Sequence, residues 1–210
     1  MDSRSMPIYH EHQVKQFCAL HALNNLFGES CFTKKSLDDI CERLAPTKGW
    51  GNPHRSFFGF GNWDVNVVMV AVQSKNCEAV WWDKRNDLSN LDLKPIVGFI
   101  LNIPNDYAIG SFKLPLGRRH WISIRPIVTS GSPVQHQSSR SSSTSKAGSS
   151  ETVNAVAGQR ESRRLFYNLD SKFKVPLLIG NDAAVLAFLQ EALGIKGGEM
   201  LVVVTKDSTN

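Results

Sequence analysis

Cys18 lies where an apolar helical pattern begins, in EHQVKQFCALHALNN (residues 11–25), with a glutamine five residues before it and a histidine three residues after it. At a helix start, free backbone N–H groups and the macrodipole favour an anion, so a thiol there ionises more readily and becomes a nucleophile. The plain alternative is a small buried hydrophobe, which is the reading for Cys31, Cys41 and Cys77. A metal is the other alternative, because His10, His12, Cys18 and His21 are close in sequence. Their H-x-H and C-x-x-H spacings lack the paired ends of common zinc sites, so no metal is expected. His21, one turn into the helix, reads as a packed or capping side chain.

Nucleophilic catalysis needs two more groups: a base that holds the thiolate as an ion pair, and an acceptor that fixes the tautomer of the imidazole. His120 opens a predicted strand in RRHWISI, where its ring is held at a rigid strand end. His54, in the loop GNPHRS, is the rival base, but a loop holds a ring less firmly. If residues 120–126 pair with 165–171 as an antiparallel hairpin, Asp170 comes to lie beside His120. Asn168 shares its face and is the alternative acceptor should the register slip.

These groups must be carried by ordinary elements. Helices are predicted at 18–28, ending at Gly28, and at 34–45, with Thr33 as N-cap. A third is predicted from a cap at Asn62 through WDVNVVMVAVQSK, and a fourth at about 181–194. Strand signals follow at 78–83, 95–103, 120–127, 165–172 and 199–206. Helices first and strands later imply an α+β fold with a mostly antiparallel sheet. Residues 129–162 are serine-rich and without an aromatic side chain, so they are expected to be a disordered insert at the tip of the 120–172 hairpin. Closing so long a loop costs only roughly 2 kcal/mol more than closing a tight one, so the insert does not demand a second domain. The glycine- and aromatic-rich stretch at 50–63 reads either as core and turn packing or as a wall of a substrate channel.

YHEHQVKQFCALHALNNLF (9–27), LDDICERLAP (37–46), NPHRS (52–56), GNWDVNVVMVAVQ (61–73), AVWWDKR (79–85), RRHWISIR (118–125) and YNLDSK (167–172) together resemble the Josephin family of cysteine proteases, which remove ubiquitin from proteins. The likeness is greatest to its short stand-alone members. It implies a papain-like fold, N-terminal helices packed on the sheet, and one catalytic domain over residues 8–206 interrupted by the insert. It also implies roles. The nucleophile of the family's C-A-x-H-x-L-N-N motif falls on Cys18, the general base of its H-W motif on His120, and the third member, Asp or Asn in the family, on Asp170. An oxyanion-stabilising glutamine falls on Gln13. The expected partners are ubiquitin and ubiquitin conjugates, with no cofactor. A ubiquitin-binding module without turnover is the alternative.

Composition narrows the rest. The chain has 210 residues, 41% of them hydrophobic, and a formal net charge of +5. That length suits one ordinary core. The basic residues are scattered and the insert lacks the aromatic interleaving of a stacking surface, so no nucleic-acid partner is expected. Four sparse cysteines read as reduced thiols. No 18-residue apolar run and no secretory pattern is seen, so an intracellular monomer of the cytoplasm or nucleus, without a transmembrane segment, is expected.

Overall fold

The computed structural model describes residues 7–45, 54, 63–104, 107–109, 112–114, 119–130 and 162–206. Three helices come first: α1 (Cys18–Phe27), α2 (Lys34–Leu44) and α3 (Val65–Gln73). Then follow β1 (Cys77–Trp81), β2 (Ile96–Pro104), β3 (Tyr107–Ile109), β4 (Phe112–Leu114), β5 (Arg119–Ser130), β6 (Ser162–Asn168), β7 (Leu177–Gly180), α4 (Asp182–Gly194) and β8 (Glu199–Thr205). Six strands form one sheet in the order β1-β8-β2-β5-β6-β7, every neighbour antiparallel, and β3 and β4 form a separate hairpin. The expected α+β arrangement is what the chain adopts.

Alternation along the strands splits the core in two, because successive side chains leave a strand on opposite faces. Ile100, Trp121, Leu201 and Val203 pack with α1, α2 and α3. Phe99, Leu101, Ile122, Ile124, Met200 and Val202 pack with Val185 and Leu189 of α4. Central strands buried on both faces need no polar side, which explains the nearly unbroken apolar runs of β2 and β8.

Local chemistry sets the helix ends. Gly28 stops α1 in the left-handed conformation at φ 74°, its N–H donating to the Asn24 carbonyl. Thr33 caps α2 and exchanges side-chain to backbone bonds with Ser36. For α3 the cap is Asp64, which accepts from the N–H groups of Asn66 and Val67, and not Asn62, which lies outside the described residues. The carboxylate sits one residue before the first helical turn, where its oxygen reaches those donors. The predicted 165–172 strand ends early, at Asn168. The short β7 was not predicted, since LLIG carries no alternation to mark it. The expected insert at 129–162 lies outside the described residues from 131 to 161, and most of the 50–63 stretch does too.

One close approach is required by the packing of α1 on the sheet. A Cβ at Gly98 would stand 2.4 Å from the Ile124 carbonyl oxygen and 2.5 Å from Leu26 Cδ1. Gly98→Ala is therefore expected to cost about 1–3 kcal/mol through overpacking. A lower urea midpoint at unchanged slope is the result to look for.

Candidate active site

The expected register between β5 and β6 needs a correction of physical interest. The last rung pairs Ile124 with Asn168, so Asp170 lies two residues beyond the ladder and His120 pairs instead with Ile103 of β2. Asp170 still arrives beside His120, by a turn. The Leu169 N–H donates to the Ser123 carbonyl at 2.9 Å, and the Asp170 N–H donates to Asn168 Oδ1 at 3.0 Å. That second bond commits Asn168 to shaping the turn, which removes it as an alternative acceptor for the ring.

His120 Nε2–H donates to Asp170 Oδ1 at 2.7 Å, with both residues buried. The Cys18 sulfur lies close enough to the same ring to act on its charge. Burial opposes charge on His120, but the Asp170 bond and the nearby Cys18 sulfur outweigh it and raise the pKa above the ordinary imidazole value. Burial likewise pushes the Asp170 carboxyl up, yet the His120 bond and the Lys172 N–H, which donates to Oδ1 at 2.9 Å, hold it below the usual carboxylate range. The favoured state of the pair is thus imidazolium beside carboxylate, a donor of protons next to a thiol.

Cys18 is 5% exposed and is the first residue of α1. Phe17 occupies the N-cap position and supplies no side-chain acceptor, so the first-turn N–H groups next to the sulfur lack such a cap. The chain enters this helix through Lys15, whose φ of 53° is left-handed. Gln13 spans that turn: one N–H of its amide donates to the Lys15 carbonyl at 3.1 Å. A primary amide has a second N–H, which this bond leaves free to serve another acceptor. Among the described residues no hydrogen bond joins Gln13 to Cys18, His120 or Asp170. The structure therefore joins His120 to Asp170, sets Cys18 near the same ring and places Gln13 on the adjoining segment.

That segment, Tyr9–Gln13, forms a strap held by His21, which was read as a packed or capping side chain, and by Tyr9, Glu11, Asn24 and Asn25, which sequence reasoning did not single out. Glu11 accepts from Tyr9 Oη–H at 2.5 Å, Asn24 Nδ2–H at 2.9 Å and His21 Nδ1–H at 2.6 Å. Beside this carboxylate, the half-buried Tyr9 hydroxyl has its pKa pushed up to about 12 by burial first and Glu11 second. The Val14 N–H donates to His21 Nε2 at 3.2 Å, which fixes the other nitrogen as the one bearing hydrogen. The Glu11 N–H donates to Asn25 Oδ1 at 2.5 Å, and Asn25 Nδ2 donates to the carbonyls of Glu11 (3.3 Å) and Leu169 (3.0 Å). On the far side, the Gln13 N–H donates to the Ser171 carbonyl at 2.7 Å, and His10 Nε2–H to that of Asp170 at 3.1 Å. A usable signal was present: two adjacent asparagines inside an apolar helix are poor helix formers that stay buried only with partners.

The rival roles resolve in the same way. His54 Nδ1–H donates to Asp64 Oδ2 at 2.7 Å, at the start of α3. His10, His12 and His21 each spend a ring nitrogen on the strap or on the loop after β6, and among the described residues no group of three or more His, Cys, Asp or Glu could hold a metal ion. Nor is any described helix long and apolar enough to cross a membrane.

Comparison with known proteins agrees with the geometry. The family model described as Josephin matches residues 13–204. The chain is 39% identical to Josephin-2 of Homo sapiens over 200 residues, 95% of this chain and 87% of that protein. It is 42% identical to a Josephin-like protein of Drosophila melanogaster over 188 residues, 89% of this chain and 69% of that protein. A Josephin-like protein of Arabidopsis thaliana is 35% identical over 208 residues, 92% of this chain and 46% of that one.

Proposed function

The chain belongs to the Josephin family, and from that premise we propose that it is a cysteine-type deubiquitinase that hydrolyses peptide and isopeptide bonds at the C-terminal glycine of ubiquitin. The observation that carries this reading is the buried His120–Asp170 pair, joined at 2.7 Å, with the buried Cys18 sulfur near enough to the same ring to influence its charge. A structural cysteine would need no imidazole, and a structural histidine would need no carboxylate aimed at its far nitrogen.

In this cycle the Cys18 thiolate, paired with the His120 imidazolium, attacks the glycine carbonyl and its C=O electrons move to oxygen. Asp170 holds Nε2–H, which directs Nδ1 to the sulfur and favours the protonated ring. The free N–H of the Gln13 amide and a backbone N–H at the start of α1 stabilise the oxyanion. The intermediate collapses as His120 gives its proton to the departing amine, leaving a thioester on Cys18. Water, deprotonated by His120, adds to the thioester carbonyl. Collapse then expels the thiolate beside the reprotonated ring and frees the ubiquitin carboxylate.

Ubiquitin carrying a C-terminal vinyl methyl ester tests the proposal. A one-to-one covalent adduct, its mass that of chain plus probe and its attachment mapped to Cys18, is the expected product. Saturable binding with no adduct would replace the hydrolase by a ubiquitin-binding module.

A further inference from the structure

Asn25 is fully buried on α1, two turns after the cysteine, and it touches none of Cys18, His120, Asp170 or Gln13 through any recorded bond. What it does touch is revealing. Its Oδ1 takes the Glu11 N–H at 2.5 Å, and its Nδ2 serves the Glu11 carbonyl at 3.3 Å and the Leu169 carbonyl at 3.0 Å. Glu11 is two residues before Gln13 on the strap, and Leu169 is the residue before Asp170 on the loop after β6. One amide therefore joins three separate pieces of chain: the helix that carries the thiol, the strap that carries the oxyanion donor, and the turn that carries the carboxylate.

We infer that Asn25 is a positioning residue that sets Gln13 and Asp170 in register with Cys18, so that the oxyanion donor and the triad carboxylate are placed as one unit. This rests on the hydrolase reading above.

Three observations support it beyond the bonds themselves. The strap and the loop are also joined to each other, through the Gln13 N–H to the Ser171 carbonyl and His10 to the Asp170 carbonyl, so a shift in one is passed to the other. Asn24, the neighbouring residue, has a different job: it holds Phe32 through both its backbone N–H and its carbonyl, and reaches the strap only through the Glu11 side chain. Finally, Asn25 has exhausted its useful geometry. A shorter or charged side chain cannot accept from one peptide and donate to two others at once. The arrangement makes rigid positioning the product of a single side chain on a rigid element, and an error of about 1 Å at such a place costs roughly 100-fold in rate.

The test is a double-mutant cycle on turnover of a fluorogenic ubiquitin amide, with Asn25→Ser and Gln13→Ala. Gln13→Ala alone is expected to lower kcat roughly 100- to 1,000-fold as one lost oxyanion donor. Asn25→Ser alone is expected to lower kcat roughly 10- to 100-fold with KM little changed. In the Asn25→Ser background, removing Gln13 should cost only a few-fold more, because the amide is already misplaced; interacting residues fail to add. A second readout, alkylation of Cys18 by iodoacetamide, involves no oxyanion. Its pH profile should move its alkaline limb to lower pH in Asn25→Ser, because Asp170 then supports the imidazolium less well.

Losses that simply multiply, or an unmoved alkaline limb, overturn the inference, since a merely structural role would do both. If Asn25→Ser does not fold, Asn25→Asp keeps the acceptor for the Glu11 N–H but loses both donated bonds, and the same cycle is read with it. A wild-type chain that turns over no ubiquitin amide would sink the hydrolase reading instead, and the alkylation profile would still judge Asn25.

Discussion

Cys18→Ala is expected to abolish turnover of a fluorogenic ubiquitin amide, a loss on the order of 10⁵-fold or more, while the far-ultraviolet circular dichroism stays that of the wild type. Magnitudes of this size follow when the nucleophile of an acyl-transfer unit is removed, because its partners have no function without it. The substitution is structurally mild. It deletes one sulfur from a residue already 5% exposed, which forfeits about 1 kcal/mol of apolar burial. Alanine is also the best helix former, so α1 keeps its first turn. A folded variant that retains a tenth of the wild-type rate would take the sulfur out of the reaction. Unfolding of Cys18→Ala near room temperature would instead mean that the packing at this end of α1 has been underestimated.

The second large effect belongs to His120. His120→Ala is expected to lower kcat roughly 10⁴- to 10⁶-fold, since it removes both the base and the acid of the cycle. Asp170→Asn should be far milder. Asparagine still offers Oδ1 to the ring Nε2–H, so what is lost is the charge on the acceptor, a difference of about 1–1.5 kcal/mol or roughly 10-fold. Its stability signature depends on pH with a definite sign. His120 has a raised native pKa, so its contribution is fully present below its unperturbed value of 6.5 and fades as pH rises through the native one. Asp170 has a lowered native pKa, so its contribution is fully present above 3.8 and fades as pH falls through the native one. The pair therefore stabilises most between 3.8 and 6.5. Asp170→Asn should depress the melting temperature more at pH 5.5 than at pH 9. A larger penalty at pH 9 would mean that the ring is neutral throughout and that the buried contact is an ordinary hydrogen bond.

Much of the site was legible because each of its residues sits at a place that sequence marks strongly. Cys18 begins a helix whose end is signed by Gly28, and His120 opens a strand bounded by RR and by the residues that pair with β2. The direct pairing expected for Asp170 was wrong in mechanism and right in place. Periodicity could suggest that two strands form a hairpin, but it carries no information on where a ladder stops. That is decided by the Asn168 side chain, which takes the Asp170 N–H and turns the chain out of the sheet. The α3 start was misread for a related reason: Asn62 and Asp64 are both good caps, and only tertiary structure chooses between them. Least visible was the strap. Tyr9, Glu11 and His10 form no periodic pattern, and apart from the Tyr9–Glu11 bond their partners are 10 to 160 residues away, so little in a local window points to them.

The central hairpin has a consequence for how such a protein can change over time. Ser130 and Ser162, where the chain leaves β5 and enters β6, are paired with each other at one extremity of a ladder. His120 is ten residues back along β5, roughly 33 Å away at the rise of an extended strand. Successive rungs, from that serine pair down to Ile124 and Asn168, stand between the two ends. The stretch between Ser130 and Ser162 can thus be lengthened, trimmed or rewritten while the imidazole keeps its place on β5, many rungs away from the change.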